Sequence, residues 1–307
     1  MRKPRALAPG DRIAVVAPAS PFTRDEFDRG VEEIRRLGFE PVYDDTVFAR
    51  QRYVAGSPAL RAAAIQAAWR DPSIAGLIGV RGGYGSAQVL PLLDPAEAVR
   101  ACKPFVGYSD LTAMLTFLTL GCQLVAFHGP MLAGRLGRGA EGYDERSFVS
   151  ALCRREPMGE LAPPGLETVR AGEAGGVLLG GTLTQLLASI GTGYAFAPPD
   201  GYVLFLDEVG ERPYRLDRMV LQLRQTGLLD RATAVVIGEL PRCDEPAGQP
   251  TARAVVHELF ADFPGPVLVG FPSGHTTGPA MTLPLGVACR VIAGHRPRLI
   301  IEESAVA

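Results

Sequence analysis

Residues 104–120 read PFVGYSDLTAMLTFLTL, and their pattern decides the fold class. A short apolar run, Pro104 to Val106, stops at Gly107. Tyr108, Ser109 and Asp110 then lead at once into a helix-like pattern. Leu111, Met114, Leu115 and Leu118 fall at i, i+3, i+4 and i+7, one face of a helix. A serine therefore stands at a strand-to-helix corner with a glycine two residues before it. Such a corner lifts a hydroxyl above the sheet edge and sets backbone N–H groups beside it. Serine is also an ordinary helix N-cap, so this stretch alone leaves both roles open.

The same alternation extends upstream. IAVVAPAS (Ile13 to Ser20) reads as a buried strand ending in small residues. Thr23 to Leu37 reads as a helix with acidic residues early, Arg35 and Arg36 late, and Gly38 as its stop. PVYDD (Pro41 to Asp45) reads as a second strand. Ser57 to Trp69 is an Ala-rich helix with Ser57 as its cap and Pro58 at its first position. IAGLIGV (Ile74 to Val80) is a third strand running into RGGYGS (Arg81 to Ser86), and a further helix is expected to about Leu93. LVAFHGPM (Leu124 to Met131) follows the opening stretch. Strand and helix in alternation predict a mostly parallel sheet covered on both faces, with sites off the carboxyl ends of its strands. Pro18 to Ser20, Arg81 to Ser86, Ser109 and His128 all occupy such ends.

From Glu156 to Gly176 the chain is rich in Pro, Gly and Glu, and its periodicity is lost. The expected division is a domain over 1–155, a linker over 156–175 and a second domain over 176–307. The second half opens with VLLGGTLTQLLASIGT (Val177 to Thr192), a strand with a Gly-Gly turn into a short helix. YVLFL (Tyr202 to Leu206) is a buried strand ending in Asp207 and Glu208. A helix over Pro213 to Thr226 buries Leu216, Met219, Val220 and Leu223, and Gly227 stops it. AVVIGEL is a strand, Arg253 to Phe260 a helix, and VLVGFPSGH (Val267 to His275) a strand ending in a loop. VACRVIAG and PRLIIEE close the chain as two antiparallel strands.

The chain has 307 residues, 47% hydrophobic and 21% charged, a soluble globular balance of two-domain size. Its net charge of −2, without a Lys/Arg cluster, sets nucleic acid aside as a partner. No apolar run reaches the ~18 residues of a membrane span. Pro9, Gly10, Asp11 and Arg12 interrupt any signal-peptide core. The five cysteines are odd in number and scattered, which fits a reducing compartment, and the expected location is the cytoplasm. No two of the four histidines have metal-ligand spacing, so a metal enzyme is not expected.

RGGYGS lacks the spacing of a nucleotide loop. Its glycines do leave backbone N–H groups unobstructed at a strand end, suited to a carboxylate or a developing oxyanion, or simply to a tight turn. Of the histidines, His257 lies in a helix pattern beside Glu258, and His295 in a Gly-His-Arg-Pro turn. His128 could line a site or be a satisfied core residue. His275 sits in the polar loop Ser273-Gly274-His275-Thr276-Thr277-Gly278 after a buried strand. Strand alternation lets only one of Asp207 and Glu208 point into a given cleft. The order Ser109, acid at 207 or 208, then His275 is one of those known for hydrolytic triads. The serine needs a base, the histidine needs an acid to fix its tautomer, and the oxyanion needs donors.

These residues resemble the LD-carboxypeptidase family of serine peptidases, whose murein tetrapeptide carboxypeptidases are the best-known type. The matching stretches are APAS (Ala17 to Ser20), VRGGYGS (Val80 to Ser86), GYSDLTA (Gly107 to Ala113), FHGPM (Phe127 to Met131), GGTLTQL (Gly180 to Leu186), LFLDEVGERPYRLDRMVLQL (Leu204 to Leu223) and Gly274-His275. The resemblance implies an α/β fold in two parts. The first is a parallel-sheet, flavodoxin-like or Rossmann-like domain with the nucleophile. The second is a mixed α/β, swivelling-barrel-like domain with the acid and the histidine. It implies Ser109 as nucleophile, His275 as base, and an oxyanion hole from the N–H of Asp110 with that of Gly82 or Gly83.

The family's acid is a glutamate directly after the LFL-type strand. Here Asp207 holds that register and Glu208 follows, so Asp207 is the expected acid and Glu208 the alternative. Thr182 stands where the family often has asparagine. The implied reaction is release of terminal D-alanine from a murein tetrapeptide, without metal or cofactor, by an enzyme that commonly forms homodimers. The RGGYGS loop and Arg215 are expected to bind the D-alanine carboxylate, although Glu211 could pair with Arg215 instead. Two alternatives stand beside this reading. One is a microcin C-type hydrolase of acyl-sulfamoyl-adenylates, which needs an aromatic to stack on adenine, whereas Trp69, the only tryptophan, is far from the motifs. The other is a homologue that binds without catalysis.

Overall fold

Two apolar strand sets of different character organise the computed structural model, which describes residues Met1–Ala307. The first half supplies β1 (Arg12–Val16), β2 (Glu40–Val42), β3 (Ile74–Gly79), β4 (Phe105–Gly107) and β5 (Ala126–His128). All five run parallel. β3 is buried along its whole length, as a strand covered on both faces must be. The intervening helices are α1 (Arg24–Arg36), α2 (Pro58–Arg70), α3 (Pro95–Ala101), α4 (Thr112–Thr116) and α5 (Glu145–Cys153). Thr23 and Glu26 form a capping box at the start of α1, and Ser57 caps α2.

The second half supplies β6 (Gly159–Leu161), β7 (Glu167–Arg170), β8 (Gly172–Thr182), β9 (Tyr202–Asp207), β10 (Ala232–Gly238), β11 (Val267–Phe271), β12 (Leu283–Leu285), β13 (Ala288–Ala293) and β14 (Arg298–Ile301). Its helices are α6 (Leu183–Ser189), α7 (Pro213–Gln225) and α8 (Ala252–Leu259). The eight-stranded sheet has the order β6-β14-β13-β8-β9-β10-β11-β7. Its centre, β8 to β11, is parallel, and its flanks are antiparallel. The fold is thus mixed α/β with two sheets. β12 leaves the second half to pair antiparallel with β5, giving the first sheet the order β12-β5-β4-β3-β1-β2.

Three expectations are corrected. Residues 156–175 are not an irregular linker: they form β6, β7 and the start of β8. Pro163, Pro164 and Gly165 make the turn between two short flanking strands, and such strands carry little periodicity of their own. The helix expected before Leu93 is two 3₁₀ turns, Ser86–Gln88 and Leu90–Leu92. Pro91 has no N–H to donate and would clash with the carbonyl four residues back, so an α-helix cannot form there. The single helix expected after Ser109 is a 3₁₀ turn (Ser109–Leu111), then α4, then a π-helical turn (Phe117–Gly121). Thr119 Oγ1 donates to the Leu115 carbonyl at 2.7 Å, four residues back, a bond that disturbs a regular helix. Leu111, Met114, Leu115 and Leu118 are all buried.

Candidate active site

Each functional side chain stands where a parallel strand ends. After β4, Tyr108 is extended and Ser109 turns to a φ of +62°, a left-handed conformation uncommon for a non-glycine residue. Nucleophile elbows carry strain of this kind. A methyl group built on Gly82 would lie 3.1 Å from Ser109 Oγ and 3.3 Å from the Asp110 nitrogen, so the loop after β3 passes directly against the serine. Glycine there lets the backbone approach the place where a reacting carbonyl would sit. Gly83 and Gly85 both have positive φ and shape the same loop.

Residues distant in sequence hold that loop. Ser20 Oγ accepts from the Tyr84 N–H at 3.1 Å and donates to the Tyr53 carbonyl at 3.1 Å. Asp110 is buried and accepts from the Ser86 N–H at 2.8 Å. Burial raises its carboxyl above the usual range, against the pull of its bonds to Ser86 and Gly85. The buried Arg61 donates to the carbonyls of Pro18 and Gly85 and to Gln88 Oε1.

In the second sheet, Asp207 ends β9 and is fully buried. Its Oδ2 accepts from His275 Nδ1 at 2.7 Å and from Thr182 Oγ1 at 3.2 Å, and its Oδ1 accepts from the His275 N–H at 3.0 Å. Glu208 points elsewhere. Its Oε2 accepts from the Thr184 N–H and hydroxyl at 2.8 and 2.7 Å, at the start of α6, and its Oε1 accepts from the Val209 N–H. Burial raises the Glu208 carboxyl, and the Thr184 bonds oppose that rise. The His275 ring lies against Tyr108, with centroids 5.0 Å apart. The two half-sites therefore meet at Tyr108, the residue before Ser109. Ser109 Oγ makes no hydrogen bond within the chain. His275 Nε2 is the ring nitrogen left free, because Nδ1 is held by Asp207.

His128 closes the floor of the site. It is fully buried, and its Nε2 is 4.0 Å from Asp207 Oδ2. Burial pushes its imidazole down to about 4, against the attraction of Asp207. The folded chain thus refuses a proton that the unfolded chain takes up near pH 6.5, so stability is full above that pH and is lost as pH falls toward 4. We expect this to amount to roughly 2 to 3 kcal/mol between pH 7 and 4.5. Urea midpoints of wild type and a His128→Phe variant at both values check it, since Glu208 and Asp110 titrate in each. Parallel losses in the two proteins would refute it.

Arg135 and Glu239 escaped the sequence reading. Arg135 is buried and donates to the carbonyls of Gly274 (3.1 Å), Thr276 (2.7 Å) and Gly278 (2.9 Å), pinning the histidine loop from the first half of the chain. Glu239 accepts from the Thr277 N–H and hydroxyl, each at 2.8 Å. No local signal marks Arg135, since its partners lie some 140 positions away. An Arg135→Met variant leaves several buried carbonyls unpaired. It is expected to lose about 2–4 kcal/mol of stability in urea unfolding.

Arg215 is not brought to the cluster. It is exposed, paired with Glu211 at 3.2 Å and bonded to the Tyr214 hydroxyl. Trp69 is buried within α2. No group of three or more His, Cys, Asp or Glu side chains is arranged to hold a metal ion. No helix is long and apolar enough to cross a membrane.

Comparison with known proteins gives the family. Residues 13–129 match the model of the LD-carboxypeptidase N-terminal domain, and residues 175–291 that of the LD-carboxypeptidase C-terminal domain. A Streptomyces coelicolor protein named as a carboxypeptidase is 37% identical over 95% of this chain and 93% of its own. The solved muramoyltetrapeptide carboxypeptidase of Oxalobacter formigenes is 28% identical, with a TM-score of 0.84 over 95% of this chain and 99% of that one. The microcin C7 self-immunity protein, at 24% identity, shares the fold with a TM-score of 0.91 over the whole of both chains.

Proposed function

This chain belongs to the LD-carboxypeptidase family of peptidases, and from that premise we propose that it is a serine carboxypeptidase releasing the terminal D-alanine of murein tetrapeptides. The observation that carries the reading is the Asp207–His275 pair set against the strained Ser109 elbow. Ser109 Oγ attacks the carbonyl of the L-configured centre that bears D-alanine. His275 Nε2 takes the hydroxyl proton, and Asp207 steadies the imidazolium through Nδ1. The N–H groups of Asp110 and of Gly82 or Gly83 receive the oxyanion. The C–N bond breaks as His275 returns the proton to the leaving amine, and water then cleaves the acyl-enzyme. Similarity to the Oxalobacter formigenes enzyme supports the substrate class.

The test is D-alanine release from purified murein tetrapeptide by the intact protein, with an aminoacyl sulfamoyl adenosine offered in parallel. Release from the peptide is expected. Turnover of the nucleoside compound alone would overturn the substrate, and turnover of neither would overturn the peptidase reading.

A further inference from the structure

His128 has no part in the reaction above, yet it lies directly against the Asp207 carboxylate. It ends β5 opposite Gly107, two residues before Ser109. Its Nδ1 is 2.9 Å from the Oγ of Ser273, a fully buried residue. Its Nε2 is buried without a hydrogen-bond partner and faces Asp207 Oδ2, the oxygen that also receives His275 and Thr182. A methyl group built on Gly274 would lie 2.5 Å from that oxygen and 2.6 Å from His128 Cε1, so glycine alone leaves room for this arrangement. The titratable groups facing His128 are Asp207 from β9, His275 from the loop after β11 and Tyr108 from the segment after β4. Phe205 packs against its ring, with centroids 5.0 Å apart.

A neutral imidazole carries one N–H, and its place follows from electrostatics. With the proton on Nδ1, the Nε2 lone pair would face a carboxylate oxygen where water is excluded and repulsion is strong. With the proton on Nε2, the Ser273 hydroxyl donates to Nδ1, and the positive end of the N–H dipole faces Asp207. Only the second arrangement is favourable on both sides.

We infer that His128 is a positioning residue for Asp207: its Nε2–H, oriented by Ser273, adds a third donor dipole to the oxygen that holds His275. At 4.0 Å the contact is electrostatic rather than a hydrogen bond. Burial keeps His128 neutral while His275 charges during turnover, so the Asp207 charge stays with His275. The inference rests on the proposed triad, and its tests separate the two.

Ring-nitrogen NMR of protein with 15N-labelled histidine needs no substrate. At pH 7 the proton of His128 is expected on Nε2, and its presence on Nδ1 would overturn the inference. The second measurement compares two variants. In His128→Gln the amide reaches the Nε2 position, whereas in His128→Asn it reaches only the Nδ1 position. Without the dipole, the potential at the Asp207–His275 pair becomes more negative, and the pair holds its protons to higher pH. The His128→Asn variant is expected to lose about tenfold in kcat with KM little changed. The acid limb of its kcat/KM profile should move up by about half a pH unit, and His128→Gln should restore it. A merely structural role would cost thermal stability in both variants and leave the limb in place. An unmoved limb in the folded variants overturns the inference, and if neither folds the NMR result decides. Wild type that releases no D-alanine while showing the Nε2 proton refutes the substrate, not the placement of His128.

Discussion

Replacing Ser109 by alanine is expected to lower D-alanine release by a factor on the order of 10⁴ or more, with the fold retained. The size of the effect follows from the chemistry. Without Oγ there is no acyl-enzyme, and the base and oxyanion donors are left to act on water alone. The elbow also supplies a readout independent of turnover. Ser109 sits at a φ of +62°, where a side chain is strained and glycine is not. A Ser109→Gly variant should therefore be about 1 kcal/mol more stable than Ser109→Ala, by urea unfolding, while equally inactive. That combination marks a position where stability is given up for function. Wild-type activity in Ser109→Ala would overturn the nucleophile. Equal stability of the two variants would remove the strain argument.

The acid gives the second large effect. An Asp207→Asn variant is expected to lose on the order of 10⁴ in kcat, because an amide can present its N–H to Nδ1 and trap the wrong histidine tautomer. Glu208→Gln should retain most of its activity. Its cost belongs to stability, about 1–2 kcal/mol, since the buried Glu208 accepts from the Thr184 N–H in the first turn of α6 and from the Thr184 hydroxyl. The two neighbours thus have separate duties because they leave the strand end in opposite directions. Steady-state kinetics of both variants, with thermal melts as the control, check this. A loss confined to Glu208→Gln would overturn the choice of Asp207, and equal losses would mean that the two carboxylates act together.

Much of this was legible in the chain. Strand-then-helix alternation around Pro104 to Leu120 implied a parallel sheet, because apolar runs buried on both faces need crossover helices. The glycines of RGGYGS and the corner at Gly107 to Asp110 marked strand ends where a backbone must approach closely. Alternation along Tyr202 to Asp207 already required Asp207 and Glu208 to diverge. What the sequence could not say was which of them faces His275, since that depends on the side of β9 on which α6 packs.

Other features had no local signature at all. β6 and β7 are short flanking strands whose only identity is their partners, β14 and β11. β12 joins the sheet of the opposite half. Arg135 reads as one arginine among many until the fold sets its guanidinium against three carbonyls of the histidine loop. His128 was equally consistent with core and site. The sequence by itself determined the strand ends and the residue types that stand at them, because period and turn chemistry are local. Only the tertiary structure decided which ends meet, because charge, burial and hydrogen-bond geometry between Asp207, His275 and His128 arise when the two sheets bring their carboxyl edges together.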